Sequence, residues 1–93
     1  MPFAAEKTMF MIYRDTTYTD KYMVCYFTEL DEHNKEREIN KAFSGEFFFD
    51  GFIKNSEKTK AKAVIAEFLE KLNNGEKLEP TDIENALSPY LAR

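Results

Sequence analysis

Apolar side chains fall at consecutive positions, rather than at every second one, in three short stretches of this chain. Lys21 to Thr28 reads Lys-Tyr-Met-Val-Cys-Tyr-Phe-Thr. Side chains on a strand alternate between faces, so Met23, Cys25 and Phe27 share one face and Tyr22, Val24 and Tyr26 the other. Thr8–Tyr13 and Glu46–Ile53 repeat the habit. Such strands need cover on both sides, whereas a sheet with one wet face alternates apolar and polar residues.

Thr8–Tyr13 reads as a strand from its aromatic and β-branched content. Arg14–Asp20 is a polar turn, and Lys21 to about Leu30 is a second strand forming an antiparallel hairpin with the first. Residues 31–43 are charged enough for a short helix, with Ile39, Ala42 and Phe43 at helical spacing and Gly45 just past its end. The alternative is a strand with Ile39 and Phe43 on one face. Glu46–Ile53 is a strand, and its internal Asp50-Gly51 suggests a bulge or tight turn.

Ser56–Asn73 carries the clearest helical rhythm. Ala61, Val64, Ile65, Phe68, Leu69 and Leu72 lie on one face, Asn55 or Ser56 caps the start, and Asn74-Gly75 ends it. Thr81-Asp82-Ile83-Glu84 matches a capping box for a short final helix; Ile83, Leu87, Tyr90 and Leu91 face inward, and Pro89 breaks the regular bonding near Ser88. The expected fold is α+β: an antiparallel sheet of three to four strands with both C-terminal helices on one face. Residues 1–93 read as one domain, with residues 1–7 a loose lead-in.

Such a helix layer roofs only one side of the sheet. The expected floor beneath it is Phe10, Ile12, Met23, Cys25, Phe27, Phe47 and Phe49. The opposite face then shows Met9, Met11, Tyr13, Tyr22, Val24, Tyr26 and Phe48, on the order of 400–600 Å² of apolar surface, near the upper end for a monomer. Residues 31–43 folding over that face would hide it. Left open, it is a candidate interface, with Tyr13, Tyr22, Tyr26 and Phe48 as aromatic anchors.

Composition narrows the functional classes. The 93 residues carry a net charge of −4, which opposes bulk attraction to nucleic acid or an anionic membrane. No stretch is long enough to span a bilayer, and the start lacks the plan of a signal peptide, so a cytoplasmic location is expected. The single Cys25 cannot form an internal disulfide and reads as a buried thiol.

Chemistry-bearing residues are scattered. Cys25, His33 and Asp50 make no catalytic constellation, and Asp31-Glu32-His33 reads as a solvated turn because adjacent residues do not converge on one ion. Gly45, Gly51 and Gly75 form no phosphate loop, and no cofactor is expected. Lys54, Lys58, Lys60 and Lys62 crowd the start of the long helix, where an anion could bind. The leading expectation is a small non-catalytic interaction protein that self-associates, most simply as a homodimer, or binds a protein partner through the Met/Tyr/Phe face. The second is single-stranded nucleic-acid binding by sheet aromatics plus the lysines. A small-ligand enzyme ranks last.

Overall fold

A computed structural model describes residues 7–27 and 32–92 of the chain. Three antiparallel strands form the sheet: β1 (Lys7–Asp15) lies in the middle, flanked by β2 (Lys21–Tyr26) and β3 (Glu46–Lys54). The β1–β2 hairpin pairs Phe10 with Tyr26 and Arg14 with Tyr22. Its turn is organised by Asp15, whose carboxylate accepts hydrogen bonds from the Thr17 and Tyr18 N–H groups at 3.0 and 3.2 Å. Asp20 closes the turn in the left-handed region (φ 54°), a conformation that Asp tolerates better than most residues. Beyond Tyr26 the strand gives way to a tight turn at Phe27, and the rest of the expected strand to Leu30 lies outside the described residues, as do residues 1–6 of the expected lead-in at 1–7, whose Lys7 instead opens β1.

The ambiguous segment is helical: α1 spans Glu32–Ser44. The strand alternative for residues 31–43 is thereby set aside. Ile39 is exposed rather than inward-facing, and the side chains of Ala42 and Phe43 lie outside the described residues. The long helix α2 (Lys58–Asn73) follows a turn of 3-10 helix at Asn55–Glu57. Neither Asn55 nor Ser56 is its cap; the position falls to Glu57, with no side-chain cap bond. Asn55 instead accepts a hydrogen bond from the hydroxyl of buried Thr8, tying the start of the helix layer to the sheet. Gly75, at φ 92°, follows the end of α2 as expected.

The last helix, α3 (Pro80–Leu87), starts earlier than its sequence signal. Pro80 takes the first helical position, where its missing N–H costs nothing, and the Asp82 carboxylate reaches back to the Glu79 N–H at 2.7 Å. The Thr81–Glu84 box is therefore replaced by a Glu79–Asp82 one. Pro89 converts the chain to a 3-10 turn at Ser88–Tyr90, after which Leu91 bridges to Ile53 on the outer side of β3.

The main core lies between the sheet and the α2/α3 layer. Phe10, Ile12, Ile53, Ala61, Ile65, Ile83 and Leu87 are fully buried there, and Val64, Phe68, Leu69, Tyr90 and Leu91 pack around them. Burying a Leu, Ile or Phe side chain contributes roughly 1.5–3 kcal/mol, so this cluster is the chief source of stability. The expected face of α2 is thus the observed one.

Candidate functional site

The sheet side turned away from α2 and α3 holds a second, smaller cluster. Tyr13, Cys25 and Phe27 are buried in it, and Met9 and Met11 pack against it. Helix α1 rests against β1 and β3 here. Two hydrogen bonds hold it: the Tyr13 hydroxyl donates to Glu38 Oε2 at 3.0 Å, and the Thr16 hydroxyl donates to the Ser44 carbonyl at 3.2 Å. Tyr13 is 1 % exposed. Its burial, and then the Glu38 carboxylate that accepts its proton, push the phenol pKa well above the usual tyrosine value.

The expected division of the two faces is correct for β1 and reversed for β2. Phe10 and Ile12 face α2, and Met9, Met11 and Tyr13 face the other way. Pairing fixes β2 to match: Phe10 opposite Tyr26 and Ile12 opposite Val24 place those β2 residues under α2, and send Met23, Cys25 and Phe27 to the α1 side. A one-residue shift in hairpin register moves every side chain to the other face, and the loop left that register open.

The bulge expected at Asp50-Gly51 lies elsewhere. Ile12 pairs with Phe49 but Tyr13 pairs with Phe47, so Phe48 is the extra residue. It turns towards the α2 side along with Phe49, and its ring meets Tyr22 edge-on at 5.7 Å between centroids. Phe47 is left on the α1 side.

The candidate interface residues therefore separate. Met9, Met11 and Tyr13 belong to the α1 side, with Tyr13 buried; Val24, Tyr26 and Phe48 pack against the main core, and Tyr22 lies beside them against Phe48. The apolar surface that remains open on the α1 side comes from other residues. Phe47 is 61 % exposed, Phe52 39 % and Met23 37 %, and Ile39 of α1 is also exposed. Phe47 lies opposite its expected floor position because the bulge inverts the alternation from Phe48 back to Glu46, whereas Phe52, beyond the bulge, keeps the regular register opposite Met9.

Groups of this chain meet part of each sheet edge. On β2, the Asn73 side-chain amide meets the Tyr22 backbone twice: Tyr22 N–H donates to Asn73 Oδ1 at 2.7 Å, and Asn73 Nδ2 donates to the Tyr22 carbonyl at 3.1 Å. On β3, the Ala92 N–H donates to the Phe52 carbonyl at 2.8 Å. At the hairpin end, Arg14 holds its cross-strand partner Glu46 through two hydrogen bonds, at 2.8 and 3.2 Å, and Asp20 through a third at 2.8 Å. The Arg14 guanidinium keeps the Glu46 carboxyl below its usual pKa.

Three of the four candidate lysines meet different neighbours. Lys62 lies 4.5 Å over the Tyr26 ring, covering that aromatic, and Lys60 reaches Glu57 at 3.7 Å. Lys54 sits at the end of β3 opposite Lys7, whose ammonium lies 4.7 Å over Phe52. Of the sparse chemical residues, Cys25 is buried in β2, His33 is exposed on α1 and Asp50 is exposed on β3. Asp31 lies outside the described residues, and among those described no group of three His, Cys, Asp or Glu side chains is placed to hold a metal ion. No described helix is long and apolar enough to cross a membrane.

The chain matches no protein-family model, and comparison with curated proteins and with solved structures finds no match.

Proposed function

We propose that this protein is a non-catalytic interaction module that associates with a second copy of itself through the apolar surface left open on the α1 side of the sheet. One observation carries the reading: Phe47 stands 61 % exposed in a strand, with Phe52 and Met23 also exposed on the same side. Lone exposed apolar residues are ordinary, but three exposed on one sheet face are the kind of feature that accompanies interaction surfaces. Phe and Met are also enriched at interface cores.

The residues differ from the face expected on alternation alone, yet the reason for an interface is unchanged. The sheet has more apolar surface than its helices cover. Light scattering across a dilution series tests it. The mass should fall towards 10.9 kDa on dilution and rise above it at high concentration. A constant monomer mass up to several hundred micromolar would overturn self-association. Nucleic-acid binding is the weaker alternative, because Lys62 covers Tyr26, and Phe48 and Phe49 are partly buried against the main core.

A further inference from the structure

The outer edge of β3 is only partly occupied. Leu91 and Ala92 meet it at Ile53 and Phe52, and among the described residues nothing pairs with the stretch from Glu46 to Gly51. Because the Phe52 carbonyl accepts from Ala92, the Phe52 backbone groups point away from β1. Strand alternation points the Asp50 N–H and C=O outward in the same way.

A cleft of about 290 Å³ opens beside this edge, between β3, α3 and the C-terminal segment. Its walls are mainly apolar, from Phe49, Phe52 and Leu91, and Gly51 adds no side chain to fill it. Among the described residues lining it, the ionisable ones are Asp50 and Glu84, both exposed acids.

We propose that this edge takes up an extended peptide segment carrying basic side chains, added to the sheet as a fourth strand. Main-chain hydrogen bonds to an edge supply affinity in this mode, and pockets for alternate side chains supply specificity. A strand along Glu46–Gly51 covers about 20 Å at roughly 3.3 Å per residue, so about six residues fill it. Its side chains on the α2 side enter the cleft, where a cationic head reaches the Glu84 carboxylate. Those on the α1 side lie beside Phe47 and Asp50. Partner charge follows from the acidic lining, and partner conformation from the outward backbone of Asp50. The inference goes beyond self-association, which uses the α1-side face.

The test is fluorescence anisotropy with a labelled, end-blocked hexapeptide alternating lysine and valine, at a protein concentration where light scattering shows monomer. Binding is expected, at least tenfold tighter than for the same peptide with glutamate in place of lysine. N-methylation of alternate peptide bonds should abolish it. Glu84→Gln, an exposed change that leaves the core untouched, should weaken it three- to tenfold. Equal binding of the lysine and glutamate peptides, or no binding of either, overturns the proposal. So does undiminished binding of the N-methylated peptide, which would show charge attraction without strand addition. Loss of self-association in the dilution series changes none of these readings.

Discussion

Tyr13 is held by both burial and a hydrogen bond. Its ring is buried and its hydroxyl has one donor bond, to Glu38. Burial and that carboxylate raise its pKa above the ordinary value near 10, so the native state favours the neutral phenol. A raised native pKa contributes stability that is complete below about pH 10 and is lost as pH climbs through the native value. Urea midpoints should therefore be level from pH 7 to 9.5 and fall above about 10, and Tyr13→Phe should flatten that fall. At pH 7 the same substitution should cost about 1.5–3 kcal/mol, the scale of a hydrogen bond to a charged group. At Gly51 a Cβ would meet Phe10 Cε1 at 3.5 Å and Leu91 Cδ2 at 3.7 Å, ordinary contacts. Gly51→Ala should leave stability unchanged or raise it by up to about 1 kcal/mol in the same urea titration, since glycine within a strand costs backbone entropy.

The elements owe their arrangement to a few local devices. The bulge at Phe48 gives the α2 side two consecutive aromatics and leaves Phe47 to the other side. Asn73, at the last turn of α2, supplies to β2 the donor and acceptor that a neighbouring strand would. Asn73→Ala should lower stability by about 1 kcal/mol and speed hydrogen exchange at the Tyr22 amide more than at β1 amides. Equal protection in both proteins would show that water serves that edge as well. At the hairpin end, burial pushes the Asp15 carboxyl up, but N–H bonds from Tyr18 and Thr17 outweigh it and hold its pKa down, while Arg14 holds Glu46 down. Depressed native values contribute stability that is present above the ordinary carboxylate range and lost as pH falls through the native values. Circular dichroism should accordingly show the fold weakening below about pH 4.

For the whole molecule the decisive quantity is area. A specific dimer buries about 800 Å² per partner. Phe47, Phe52, Met23 and Ile39 supply only part of that, so association should be weak, in the micromolar range, worth about 8 kcal/mol at 1 μM. Phe47→Glu should remove it. An exposed ring leaves no cavity, so the variant's urea midpoint should stay within about 0.5 kcal/mol of wild type while light scattering reads 10.9 kDa at every concentration. Loss of fold in this variant would instead place Phe47 in the core.

The order of elements was legible in the chain because each signal is local. The 3.6-residue rhythm from Ala61 to Leu72 needs no knowledge of the rest of the fold, and neither does the stop at Asn74-Gly75. The surplus of apolar strand surface was equally plain from Phe47-Phe48-Phe49, since consecutive residues cannot all face one way. What tertiary structure alone decided is which residues make up that surplus. Hairpin register sent Met23 rather than Tyr22 to the α1 side, and the bulge brought Phe48 into the main core while leaving Phe47 in water. Both depend on how the strands pair, and a shift of one residue there reverses a face without changing any local preference.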